Sequence, residues 1–529
     1  MVEQSDLIET PLAKAWEKFG EREHHGIVVP LFAIYTEESA GIGEFPDLLP
    51  LIDWVSTLSM DVIQLLPLND TNGEPSPYSC SSSRALNPLH IQIKFYSSFN
   101  EKTEEIYREL CCLTRENPKI NYGEISRKKE LFFQEIFPQT FPSLQKREKW
   151  KEFIQHSKDW IEKYACYRAL RDHFCNESWE KWPEPYQDPH SREVQSFMQE
   201  KREEIDFFLF LQFLAHEQLA RVRAHADRRR VKLIGDIPIF LNRESADLWG
   251  ERQFFCLKRS VGAPPDYYNP KGQDWGFPDY CWHSLEKSGY SWWKRRLEVA
   301  ESHYHGFRID HAVGFFRTWA KREREEGRFF PSSQEKWLLR GNKMIKMLLD
   351  ASCMLPIAED LGDVPSEVRH SLDQWGIPGM KVIRWERNWN GDRTFIPLEE
   401  YPYTSLVTVS THDSETLRQW WEGYPEEARS FCQRFGWSYE ESFSTEKRKA
   451  FLRLAHGAQK AFQINLFSEY LALCPHFTWE KEEWNRVNIP GTCNDQNWSI
   501  RYPAPIESIT DSSSFFDMCK GLLPQKMER

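Results

Sequence analysis

Residues 306–311 read GFRIDH. The run 307–309 is short and apolar apart from Arg308, and it ends in an acid, Asp310. Alternate side chains of a strand share a face, so Arg308 and Asp310 point the same way. Other runs repeat the pattern along the chain: 26–32 (GIVVPLF), 62–66 (VIQLL), 231–235 (VKLIG), 355–358 (LPIA), 380–383 (MKVI) and 406–409 (LVTV). Residues 461–466 supply an eighth. Most are continuously apolar rather than alternating, which is the mark of parallel strands covered on both faces. Amphipathic helical patterns follow several of them, as at 338–349 and 426–435. Strand–helix alternation over this length predicts an α/β fold, a (β/α)8 TIM-type barrel.

The rhythm breaks between the second and third strands, where residues 67–230 are too many for one crossover. A large, mostly helical insertion is expected there. Phe208, Leu211, Ala215, Leu219 and Val222 recur at helical spacing, the stripe of a core-facing helix. The expected division is therefore a barrel from 1–66 and 231–510, an insert at 67–230, and a tail at 511–529. Pro and Ser after residue 500 predict an irregular end. At about 150 residues per domain, 529 residues fit three or four domains, or one large barrel with insertions.

The 80 acidic against 68 basic residues give a net charge of −12, which argues against a nucleic-acid partner. No apolar run reaches 18 residues, so no membrane span is expected. The start of the chain lacks the basic and apolar stretches of a signal peptide, and a cytoplasmic location is expected. Twelve cysteines occur without a C-x-x-C pair, which argues against a zinc ribbon or disulfide scaffold.

Active sites of (β/α)8 barrels form at the C-terminal strand ends. Here Asp236 follows 231–235, Asp310 follows 307–309, Glu359 follows 355–358, and Asp413 lies just past 406–409. One such acid is as readily a helix cap; four converging like charges need a chemical reason. Glycosidic bond cleavage is chemistry that needs several carboxylates and no metal. Asp310 suits the nucleophile, because Arg308 on its face favours the ionised form. Glu359 suits the general acid/base. Asp413 suits stabilisation of an oxocarbenium-like charge, or a grip on sugar hydroxyls. His412 suits a hydroxyl donor or a structural hydrogen bond. Asp360 should point away and cap the next helix.

FRIDH, AEDLG and THD, with GDIPIF before them, resemble the ordered motif regions of the α-amylase clan. GIGEFPDL (41–48), QLLPLND (64–70), SPYS (76–79), GAPPDYYNPKGQDWGFP (262–278), IPGMKVIRW (377–385) and NIPGTCNDQNW (488–498) narrow the resemblance to the amylomaltase, or 4-α-glucanotransferase, family of disproportionating enzymes. PLNDT, GFFRTW and MKVIRWER look like the branch that includes the plant cytosolic enzyme. The family often carries glycine where this chain has Asn69 and Leu86, and WGNP where it has WGFP.

The resemblance implies a barrel with helical insertions and no C-terminal β-sandwich, no metal and no organic cofactor. It carries the nucleophile to Asp310, the acid/base to Glu359 and the third essential carboxylate to Asp413. Arg308, Asp236 and His412 match substrate-binding positions around the cleaved bond, and Tyr78 matches a tyrosine that stacks on donor sugar. Segment 262–278 matches a loop over the cleft, with Asp266, Tyr267 and Trp275 facing substrate; without the resemblance it reads as a packed Ω-loop. The expected activity is retaining transfer between α-1,4-glucans: maltose, maltooligosaccharides and glycogen. A retaining hydrolase and a noncatalytic glucan-binding protein are the rival readings; loss of one acid would mark the latter, and all three are present.

Overall fold

A computed structural model describes residues 4–265, 272–322, 325–389, 391–492 and 494–524. In chain order its strands are β1 (His24–Val29), β2 (Val62–Leu65), β3 (Lys232–Ile237), β4 (Phe255–Ala263), β5 (Gln273–Tyr280), β6 (Gly306–Ile309), β7 (Thr318–Lys321), β8 (Arg328–Phe330), β9 (Leu355–Ala358), β10 (Gly379–Val382), β11 (Ser405–Thr408) and β12 (Phe462–Leu466). β1, β2, β3, β6, β9, β10, β11 and β12 close into a barrel in that order, with β12 back beside β1. Every pairing is parallel. The expected (β/α)8 fold is present. β2, β6, β9, β11 and β12 are buried at every position, which is why they read as apolar runs.

The first strand differs from its expected range. It starts at His24 and stops before Pro30, and Leu31–Ala33 form a 3-10 turn. Proline has no N–H to continue the ladder. The expected irregular end is also corrected. Helices Ile506–Thr510 and Ser513–Lys520 bury Ile506, Ile509 and Phe515, and Phe515 stacks on Trp54 at 5.6 Å and 3°. Apolar spacing, not Pro and Ser content, decides that segment.

Between β2 and β3 the chain is mainly helical from Glu101 to Arg229. Asn100, Asn121 and Ser191 cap three of these helices through their side chains, satisfying N–H groups that a helix start leaves open. The stripe from Phe208 to Val222 lies buried on helix Arg202–Arg229. Polar ties fix the helices to the barrel. Lys129 Nζ donates to Glu44 Oε1 at 2.7 Å and to the Leu89 and Ile91 carbonyls. Asn69 and Leu86, two positions where the chain departs from the family it resembles, face each other in one antiparallel bridge. Gln212 of helix Arg202–Arg229 clamps that bridge, accepting from Leu86 N at 2.9 Å and donating to its carbonyl at 2.8 Å.

In segment 262–278, Gly262 and Ala263 end β4 and Gln273–Pro278 lie in β5, strands of an antiparallel pair that continues through β7 to β8 in a four-stranded sheet; the Ω-loop reading of its centre falls on residues outside those described. Among the described residues no helix is long and apolar enough to cross a membrane.

Candidate active site

A cleft of about 1360 Å³ opens over the C-terminal ends of the barrel strands. Tyr78, Trp275, Arg308, Asp310, Glu359, His412 and Asp413 all line it. Adjacent pairing places Asp236 of β3 opposite Arg308 of β6, and Arg308 opposite Ile357 of β9.

Arg308 is the hub. Its buried Nη1 donates to Asp236 Oδ1 and Oδ2 at 2.9 and 2.8 Å and to Asp310 Oδ1 at 3.0 Å. Burial works against its charge, but Asp236, Tyr78, Asp310 and Glu359 outweigh that and hold the guanidinium protonated. Asp236 is pushed above the usual carboxylate range, first by burial and then by the nearby Asp310 charge, although Arg308 and His412 oppose the shift. One cation thus serves two carboxylates. Asp236 lies inside the ring of contacts, whereas Asp310 keeps 27% of its side chain exposed to the cleft.

Glu359 is held differently. Its Oε2 accepts from His311 N at 2.7 Å and its Oε1 from Leu361 N at 3.0 Å. His311 stands in the left-handed region, φ 51°, which directs its N–H to the carboxylate. Main-chain bonds from Glu359 N to the Ile309 carbonyl and from Ala312 N to the Glu359 carbonyl lock the two strand ends together. Burial pushes the Glu359 carboxyl up to about 7, with the Asp310 charge adding to it; Arg308 and the two N–H donors only partly offset this. A carboxyl poised there can hold or release a proton near neutrality.

Asp413 shows the opposite shift. Its depth in the cleft works against the charge, yet His412 and Asn488 bring its carboxyl down to about 2. Asn488 Nδ2 donates to Oδ1 at 2.7 Å, and His412 Nε2 lies 3.3 Å from Oδ2. The Tyr78 hydroxyl donates to Asp236 Oδ2 at 2.8 Å and sits 2.9 Å from His412 Nε2. Its ring stacks on His412 at 5.3 Å and 19°. Tyr78, Asp236, Arg308 and His412 therefore form one connected network.

Trp275 of β5 meets the His311 ring edge-on at 4.9 Å and 90°. Asp266 and Tyr267 lie outside the described residues. Asp360 does point away from the cleft, but it caps no helix. It accepts from Met380 N at 2.8 Å and from Arg369 Nε at 3.3 Å, and helix Ser366–Trp375 starts from Pro365. Asp360 anchors the start of β10 instead, where Gly379 allows its close approach. Sequence reasoning missed His311 and Asn488 as site residues, although both stand inside the motifs FRIDH and NIPGT. Among the described residues no group of three or more His, Cys, Asp or Glu could hold a metal ion.

The family profile for 4-alpha-glucanotransferase matches residues 29–507. The 4-alpha-glucanotransferase of Chlamydia pneumoniae is 39% identical over 513 residues, covering 96% of each chain. A 4-alpha-glucanotransferase of rice (Oryza sativa subsp. japonica) is 32% identical over 333 residues, 60% of this chain and 35% of the rice chain. Among solved structures, the amylomaltase from Streptococcus agalactiae in complex with acarbose superposes with a TM-score of 0.80 at 21% identity, covering 95% of this chain and 98% of that one.

Proposed function

The chain belongs to the 4-alpha-glucanotransferase family, and from that premise we propose which of its side chains carry out the transfer. The activity is retaining transglycosylation of α-1,4-glucans. In our reading Asp310 Oδ attacks the anomeric carbon of the donor. The C1–O bond to the leaving glucan breaks, and the Glu359 proton passes to the leaving oxygen. In the second step the 4-hydroxyl of an acceptor sugar attacks C1, the bond to Asp310 breaks, and the hydroxyl proton returns to Glu359. Two inversions restore the α configuration.

The observation that carries this reading is the contrast between neighbouring strand ends. The Asp310 carboxylate is bonded to a firmly protonated Arg308, while the Glu359 carboxyl is pushed up to about 7. Pairs of carboxyls in such opposed settings divide into nucleophile and acid/base. Asp413, held charged, faces the developing positive charge. Arg308, Asp236, His412 and Tyr78 grip the sugar at the cleaved bond, and Trp275 forms an apolar wall. The family resemblance adds Asp266 and Tyr267 as substrate contacts; both lie outside the described residues. The substrates are maltooligosaccharides, with maltose and glycogen as further donors or acceptors. The acarbose bound by the streptococcal amylomaltase supports an oligosaccharide in this cleft. The enzyme needs no metal or organic cofactor, and it works in the cytoplasm.

The test uses Glu359→Gln with α-maltosyl fluoride, whose leaving group needs no acid. Glycosylation proceeds and deglycosylation stalls for want of a base. Mass spectrometry should show a maltosyl adduct on the peptide holding Asp310. An adduct on another residue, or none with fluoride still consumed, would sink the assignment.

A further inference from the structure

Two buried side-chain atoms of cleft-lining residues have no hydrogen-bond partner among the described residues: Arg308 Nε and Gln64 Oε1. Arg308 is otherwise engaged, with its Nη1 bonded to Asp236 and Asp310. Gln64, 3% exposed on β2, has no such explanation. We propose that Gln64 is a specificity-determining residue that touches substrate: its Oε1 accepts a hydrogen bond from the 6-hydroxyl of the donor glucosyl unit whose anomeric carbon Asp310 attacks. The inference rests on the reading of the cleft as the glucan site.

Three observations support it. The first is placement. Gln64 stands in register with Val28 of β1 and Ile234 of β3. Ile234 comes two residues before Asp236, which stands opposite Arg308. Alternate residues of a strand share a face, so Gln64 faces the barrel interior with Asp236 and Arg308, one pleat deeper than they do. The second is surroundings. Val28, Met380, Leu406, Ile464 and Leu466 line the same cleft from four other barrel strands, and they make its floor apolar. An acceptor buried beside such a floor costs free energy for as long as it stays unpaired, and a buried polar atom left so needs a reason. The third is the chemistry of the sugar. With C1 at Asp310 and Glu359, the unit keeps its 2-, 3- and 6-hydroxyls, because O4 carries the bond to the next unit. The 2- and 3-hydroxyls sit directly on the ring. The 6-hydroxyl stands one carbon farther out and turns freely, so it alone reaches a level below the ring. Its methylene suits the apolar floor, and its O–H suits the Gln64 acceptor.

The experiment compares fluoride release from α-maltosyl fluoride with release from its analogue deoxygenated at C6 of the fluorine-bearing unit. The wild type should prefer the parent by about 10- to 100-fold in kcat/KM, the range of one buried hydrogen bond. Gln64→Met is close in volume and carries no such acceptor. It should lose a similar factor on the parent and little on the analogue, so that the preference collapses toward one. Gln64→Leu repeats the test with a second side chain, should the methionine variant fold poorly. A wild type indifferent to the 6-hydroxyl overturns the contact without any variant. So does a Gln64→Met enzyme that keeps the full preference, which would assign the 6-hydroxyl to other residues. Absence of fluoride release from the parent by the wild type would remove the cleft reading and the contact together, whereas the preference alone removes only the contact.

Discussion

Two sheets line one cleft, and they are built on opposite principles. The barrel strands are buried, and the charged groups at their ends are tied to each other or to backbone N–H donors: Arg308 to Asp236 and Asp310, and Glu359 to His311 and Leu361. The antiparallel sheet is open. β5 alternates partly buried and exposed residues before it enters the core, β4 and β5 shift register twice, and the ion pair Lys321–Asp274 is exposed on both sides. What it offers the cleft is mainly aromatic, Trp275 and Phe277. The difference points to a division of labour. A site that must hold reacting atoms within fractions of an ångström stands on the buried barrel, while the aromatic wall beside it stands on the more open sheet.

The sharpest way to break that comparison is Asp310→Asn. It removes the proposed nucleophile but leaves Arg308 bonded to both oxygens of Asp236. Transfer should fall by at least about 10⁴-fold in kcat, while the melting temperature stays within about 2–4 °C of wild type. Activity within tenfold of wild type would remove Asp310 from the chemistry. A large loss of melting temperature would mean that the barrel carboxylates also hold the fold.

A smaller effect comes from pH. In the proposed mechanism Glu359 carries its proton when the donor bond breaks. Its carboxyl is raised to about 7, so it is competent below that pH and ionises above it. The kcat/KM for donor should therefore fall about tenfold per unit well above pH 7. Asp413, brought down to about 2, stays ionised throughout and shapes no limb near neutrality. Stability has its own sign. The folded carboxyl is raised above its unfolded value, so between about 4.5 and 7 the unfolded chain ionises first. Stability falls as pH rises through that window, and the penalty is fully present above it. Glu359→Gln should remove both the alkaline limb and this loss, and thermal melts at pH 5 and pH 8 check the second.

The barrel was legible because burial on both faces forces continuous apolar runs, and the acids at its rim follow those runs directly in the chain. The antiparallel sheet was not legible. β4 and β5 mix charged, glycine and proline positions, and no period of two survives their bulges. The partners of the acids were hidden for another reason. Asn488 reaches Asp413 from 75 positions away, and the left-handed turn at His311 that aims its N–H at Glu359 is set by tertiary packing rather than by residue type. Trp275 was reached only through family resemblance, since a tryptophan between Asp274 and Gly276 reads equally as core.

Trp275 also joins the two sheets, which makes it the finest probe of the comparison. Its indole meets His311 edge-on, and His311 N holds Glu359. If β5 only supplies a wall, Trp275→Ala should raise KM about tenfold, the scale of one lost aromatic contact. The kcat and the alkaline limb would stay in place, and Trp275→Phe would recover most of the affinity. If the indole instead steadies the turn at His311, its removal weakens an N–H bond that favours the charged carboxylate. The Glu359 carboxyl would then rise further, the alkaline limb would move to higher pH, and kcat would fall with KM little changed. A KM effect leaves chemistry on the barrel and recognition on the sheet; a displaced limb means that the sheet sets the proton affinity of a group on the barrel.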